Sequence, residues 1–150
     1  MLRADPGRPE PPQPSLDGVP ALVADARTSG LDVTLTDAVT ATPPDGVGRT
    51  CYRVVQEALT NAAKHAPGAV VEVTLGGAPG GTLDVGVRNG PAALRTAPPP
   101  ASGFGLLGLG ERVTLAGGEL HHRPTPDGGY VLTARVPWPD SPAHSQEKSA

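Results

Sequence analysis

Three groups of side chains in this sequence have types and spacings suited to chemistry, and the first lies along a single helical stretch. In TCYRVVQEALTNAAKHA, residues 50–66, Arg53, Glu57, Asn61 and Lys64 recur at i, i+4, i+8 and i+11 and form one polar stripe. Mg2+ takes hard oxygen ligands, keeps several waters, and is shared between one or two protein oxygens and substrate phosphates. The side-chain carbonyl of Asn61 offers such an oxygen. Glu57, one turn earlier, can hold a metal water or take a proton from a nucleophile, and Lys64 presents a point charge to phosphate. The competing reading of the stripe is a solvated helix face with ordinary charges.

The second group is TLDVGVRN, residues 82–89, where Leu83, Val85, Val87 and Asn89 share parity and point to one side of a strand. An Asn at the inward end of a strand needs partners, and its carbonyl oxygen can accept from an amino group such as that of adenine. Taken alone, Asn89-Gly90-Pro91 is better explained as a turn, which it satisfies by itself. The third group is Gly103, Phe104, Gly105, Leu106, Leu107 and Gly108, read as a loop opening a helix. There the glycines admit backbone N–H groups to a ligand, and the helix start favours an anion. Phosphate is the natural occupant. The run lacks the lysine-serine ending of a P-loop and the preceding strand of a dinucleotide fingerprint, which disfavours both folds.

Other candidates carry less. His65 closes the long helix, where it can interact with the last carbonyls, and His121 and His122 have no Cys or carboxylate at zinc-ligand spacing. The single cysteine, Cys51, supports neither a disulfide framework nor a zinc site and suits a reducing cytoplasm. A net charge of −3 with 12 basic residues among 150 gives no field for nucleic acid. No apolar run approaches the roughly 20 residues that span a bilayer, and the N-terminus lacks a signal-peptide core. The expectation is a soluble, cytoplasmic chain without membrane contact from this segment.

The elements that must position these residues follow from pattern and breakers. Gly and Pro number 20 and 19, but they cluster between periodic segments and punctuate them. Residues 1–17 read as a disordered lead, 138–150 as a disordered tail, and 18–137 as one folded domain. Within it, VPALVADARTSG predicts a helix ended by Gly30, LDVTLTD a half-buried strand, and residues 50–66 the longest helix, stopped at Pro67-Gly68. Residues 70–75 and 82–89 predict a hairpin across GGAPGG. A helix of about ten residues follows, ending at Gly117-Gly118, and then a second hairpin formed by ELHHR and YVLTARVP. Helix, strand, helix, strand, strand, helix, strand, strand gives class α+β: a two-layer α/β sandwich with a largely antiparallel mixed sheet covered on one face by about three helices.

Taken in order, the motifs resemble the ATP-binding (HATPase) domain of two-component sensor histidine kinases, within the ATPase superfamily shared with gyrase, Hsp90 and MutL. The resemblance covers roughly residues 19–137. YRVVQEALTNAAKHA is similar to the N box of the subfamily that pairs with NarL-type response regulators. It implies that Glu57 assists the phosphoacceptor histidine and organises metal water, that Asn61 holds Mg2+, and that Lys64 and His65 face phosphate. VGVRNGP corresponds to the first glycine box, with Asn89 in place of the usual Asp and Pro91 in place of the first Gly. SGFGLLGLGERVTLAGGEL resembles the second glycine box, bringing Gly103, Gly105, Leu106 and Gly108 to the nucleotide. Residues 91–102 would then be the ATP lid, with Arg95 able to reach the phosphates. The implied fold is the Bergerat-type ATP-binding fold, and the implied cofactors are ATP and Mg2+.

The resemblance further implies a partner, a histidine-containing dimerisation domain, supplied in cis by a longer parent protein or in trans, with a response regulator acting downstream. None of His65, His121, His122 or His144 lies in a phosphoacceptor pattern, so no autophosphorylation is expected from this chain alone. The expected function is donation of the γ-phosphoryl group to that external histidine. Two alternatives stand beside it: a non-catalytic nucleotide-binding or protein-interaction module, and a stand-alone anti-sigma serine kinase of the same superfamily.

Overall fold

Cys51, Val54, Val55, Ala58, Leu59 and Ala62 fall on one side of the longest helix, and all six are buried. Full burial of a Val or Leu side chain contributes about 1.5–3 kcal/mol each, so this face alone fixes the helix against the sheet. The computed structural model describes residues 14–93 and 104–140, with the side chains of Phe104 and Gly105 excepted. The elements are α1 (Val19–Thr28), β1 (Asp32–Asp37), α2 (Asp45–His65), β2 (Val70–Gly77), β3 (Thr82–Asn89), α3 (Phe104–Leu115), β4 (Glu119–Pro124) and β5 (Tyr130–Pro137), preceded by a short 3-10 turn at Leu16–Gly18.

The five strands form one sheet in the order β1-β2-β3-β5-β4. β1 and β2 are parallel, joined by the crossover through α2, and the other three pairings are antiparallel. Burial alternates along β2 and β3, with Val71, Val73, Leu75, Leu83, Val85 and Val87 buried beneath the helices. The opposite face is dominated by polar and small residues. This is the expected two-layer α+β sandwich with a mixed, largely antiparallel sheet.

The structure corrects three boundaries. α2 begins at Asp45, five residues before the expected Thr50. Gly46 and Gly48 read as loop, yet Gly48 donates to the Pro44 carbonyl at 2.9 Å, and a Cβ at Gly48 would collide with the Ser15 side chain. Close packing thus selects glycine inside the helix. The run at 103–108, expected as a loop, is helical from Phe104 onward. Burial of Leu109 and Val113 outweighs the roughly 1 kcal/mol that each interior glycine costs. Finally, Leu16 and Trp138 lie in the core, at 9% and 3% exposure, inside the segments assigned to lead and tail. Trp138 is held by backbone bonds to Gly80 and Gly81 in the β2–β3 turn.

Candidate functional site

The connections bring one end of α2, one end of the sheet and one end of α3 together. α2 finishes at His65, with the Ala66 N–H donating to the Ala62 carbonyl at 2.8 Å and Gly68 adopting a φ of 75°. The chain turns there into Val70, and because Val71 pairs with Asn89, the start of β2 lies beside the end of β3. Two backbone bonds tie the chain after β3 to this turn: Gly90 N–H to the Val70 carbonyl at 2.9 Å, and Ala93 N–H to the Pro67 carbonyl at 3.0 Å. Asn89 therefore sits at the sheet end where the polar stripe of α2 finishes.

α3 arrives from the same side. β4 follows it, starting at Glu119 opposite Arg135 and finishing at Pro124 opposite Tyr130, which is itself opposite Asn89. The tight turn at Gly117 and Gly118 joins the end of α3 to the Glu119 end of the sheet. A helix of 12 residues rises about 18 Å, so the first turn of α3 reaches back toward the Asn89 end.

Each candidate residue can now be placed. Glu57 and Asn61 are half-buried on α2, one turn apart on the stripe, and Lys64 is exposed beyond them. His65 is half-buried, and its Nδ1 is sealed from solvent with no hydrogen-bond partner among the described residues. A buried unpaired ring nitrogen costs about 1–3 kcal/mol unless something satisfies it. Asn89 is half-buried and its Nδ2 donates to the Gly90 carbonyl at 2.8 Å. With the amide nitrogen turned to the backbone, the side-chain oxygen is the atom it has to offer a ligand. Gly105, Leu106 and Gly108 all fall within the first turns of α3, where Leu106 is half-buried and Gly108 exposed. Gly103, Arg95 and most of the 91–102 segment lie outside the described residues, as does His144.

The surroundings add detail that pattern reading missed. Gly129 closes against Asn89, because a Cβ there would collide with the Asn89 carbonyl oxygen. In the same turn, hydrogen bonds from the Thr125 hydroxyl and the Gly129 N–H hold the Asp127 carboxyl below the usual carboxylate range, with Arg88 at 3.9 Å adding to the effect. Tyr130 opposite Asn89 has its hydroxyl pushed upward by partial burial. Cys51 is remote from this chemistry: burial, helped by the charge of Asp84, pushes its thiol up to about 12. Among the described residues no group of three or more His, Cys, Asp and Glu side chains converges as a metal site. A cation held by Glu57 and Asn61 would thus depend on ligand oxygens and water for the rest of its shell, the usual arrangement for Mg2+. No helix of the described residues is long and apolar enough to cross a membrane.

Known proteins resemble the chain in sequence and in shape. It is 36% identical over 89 residues to the oxygen sensor histidine kinase NreB of Staphylococcus carnosus, covering 59% of this chain and 26% of that protein. It is 34% identical over 94 residues to the histidine-protein kinase/phosphatase DegS of Brevibacillus brevis, covering 63% and 24%. The chain thus spans about a quarter of the length of these curated relatives. No protein-family model matches it. Among solved structures, a mycobacterial sensor histidine kinase, MprB, superposes with a TM-score of 0.58 at 20% identity, covering 83% of this chain and 95% of that one. Full-length ShkA in complex with AMPPNP gives 0.58 at 14% identity, covering 83% and 29%. At these identities the structural likeness speaks for the fold.

Proposed function

We propose that this chain is the ATP-binding domain of a sensor histidine kinase, and that it binds Mg-ATP and donates the γ-phosphoryl group to a histidine on a dimerisation domain outside this chain. The observation that carries the reading is the convergence of the Glu57–Asn61 stripe, Asn89 and the first turn of α3 at one end of the sheet. A binding site for a nucleotide needs a metal-facing oxygen, a base acceptor and an anion-favouring backbone. Asn61, Asn89 and the start of α3 offer those three kinds of group. The complex of ShkA with AMPPNP, in a protein of the same fold, supports the choice of adenine nucleotide.

The residues present fit the group. The carbonyl oxygen of Asn61 would give Mg2+ a neutral hard ligand, and the Glu57 carboxylate one turn away would hold water beside it. Glu57 is also the base available to a partner's histidine, accepting its ring proton as that nitrogen becomes the nucleophile. Asn89 accepts from the adenine amino group, with a neutral bond about half as strong as a charged Asp would give. Lys64 and His65 complete the phosphate-facing set, and the amide groups opening α3 at Gly105 and Leu106 favour the anion, with Gly108 one turn further along. Bound ATP supplies the transferable phosphoryl group and Mg2+ neutralises charge on its oxygens; the protein contributes position and proton acceptance.

The test is phosphotransfer with labelled ATP. The chain alone should stay unlabelled, and addition of the dimerisation domain of an NreB- or DegS-type kinase should produce acid-labile label on that domain. Nucleotide binding without transfer to any such partner would favour a non-catalytic module. Label appearing on a serine of an anti-sigma-factor antagonist would favour the serine-kinase alternative.

A further inference from the structure

Asn89 has a neighbour that its place in the sequence conceals. β3 and β5 are paired so that Asn89 lies opposite Tyr130. On β5 Leu132, Ala134 and Val136 are buried under the helices, and period two puts Tyr130 on that same face, as it puts Asn89 in line with Leu83, Val85 and Val87. Directly opposed residues carry Cβ atoms about 4.5–5.5 Å apart, so the two side chains are neighbours. The rung Val71, Asn89, Tyr130 closes the helix-covered face at this end of the sheet. Val71 is sealed, while Asn89 and Tyr130 are both half-buried.

Tyr130 is also clamped. Its hydroxyl shares a 2.6 Å hydrogen bond with Nδ1 of His122, and the two rings stack with centroids 5.9 Å apart and planes 28° from parallel. His122 lies opposite Leu132, the diagonal position across β4 and β5. It holds the tyrosine by its tip and stacks on one ring face, so a second planar group would pack on the other. A ring already fixed in place loses little freedom when a ligand packs on it, and every nucleobase has a π face to offer an aromatic side chain.

We infer that Tyr130, clamped by His122, is a nucleobase-positioning residue that forms the aromatic wall beside Asn89 for the base of the bound nucleotide. The inference rests on the Mg-ATP reading of the site and extends it to a strand that none of the sequence motifs marks. Tyr130 touches the base, and His122 acts through Tyr130.

Calorimetric titration of the whole chain with Mg-ATP and with magnesium tripolyphosphate, which has the phosphates and no base, tests it. Tyr130→Ala should weaken Mg-ATP about tenfold, the loss expected for one base–aromatic stack, and leave tripolyphosphate unchanged. Tyr130→Phe keeps the ring and should keep most of the affinity, and His122→Ala should fall between the two. If Tyr130→Ala binds Mg-ATP as the parent does, or loses tripolyphosphate in the same proportion, the inference is overturned. Should Tyr130→Ala fail to fold, His122→Ala at its exposed position decides, and unchanged Mg-ATP affinity there overturns it. A parent chain that binds neither ligand sinks the Mg-ATP reading and this inference with it, whereas a parent that binds both with an indifferent Tyr130 sinks the inference alone.

Discussion

At Asn61 a single oxygen carries the proposed metal contact, so its removal should be felt in one quantity above others. Asn61→Ala removes the amide from a half-buried helix position and leaves the apolar face of α2 untouched. ATP binding should lose its magnesium dependence in titrations with and without the cation, while the melting temperature stays near that of the parent. Glu57→Gln keeps shape and hydrogen-bonding capacity and removes the base. Nucleotide affinity should change little, and transfer to a partner histidine should fall about 10²–10⁴-fold in single-turnover assays. Equal losses in binding and transfer would show that Glu57 only supports the site. Asp127, in the turn that delivers Gly129 to Asn89, makes a pH prediction. Its folded pKa is depressed by the Thr125 and Gly129 hydrogen bonds, so its contribution to stability is present above the ordinary carboxylate value and is lost as pH falls through the folded one. Asp127→Asn should therefore flatten the acid side of the stability profile measured by urea denaturation, lowering stability near neutrality and matching the parent at the acid end.

Among the elements, α3 asks for explanation because its first turns hold Gly105, Gly108 and Gly110 and it is nevertheless a helix. A Cβ built at Gly108 meets nothing within 4 Å, and the same is true of Gly46 in the first turn of α2. Ala at either position should thus raise stability by about 0.5–1 kcal/mol, seen as a higher melting temperature. Only Gly108 is proposed to face the nucleotide. Gly108→Ala should pair that gain with weaker Mg-ATP binding, and Gly46→Ala should show the gain alone; if both bind as the parent does, Gly108 is absent from the phosphate site. The same glycines show what the sequence could and could not disclose. Strands β2, β3 and β5 were legible because period-two alternation is local, and the core face of α2 because six apolar residues recur at helical spacing. The early start of α2 and the helical state of residues 104–108 were not, since both depend on tertiary contacts, from Ser15 against Gly48 and from Leu109 and Val113 in the core. Glu57 and Asn61 could be found by spacing on one helix. Tyr130 could not, because its place beside Asn89 follows from the register between strands far apart in the chain.

Across the whole molecule, two buried reporters sit in different parts of one core. Cys51 lies on α2 with no measurable exposure, and Trp138, the only tryptophan, follows β5 and is locked against the β2–β3 turn. Among the described residues the buried apolar side chains, these two included, belong to a single cluster. Such a core should open as one unit. The thiol gives the test, because burial holds it protonated, pushed up to about 12, and shielded from reagent. In the folded chain Cys51 should be inert to a thiol-specific dye at neutral pH, and its labelling across a urea series should follow the same transition as Trp138 fluorescence. The raised thiol also sets a direction at high pH: the unfolded thiol ionises from about 9 while the folded one keeps its proton, so stability should decline between there and about 12. Saturating Mg-ATP links this core to the site. A ligand at 100 times its dissociation constant stabilises the folded state by about 2.7 kcal/mol, and it should move both transitions to higher urea together. If only one probe shifts, the core does not open as a single unit, and the two-state reading of this domain is wrong.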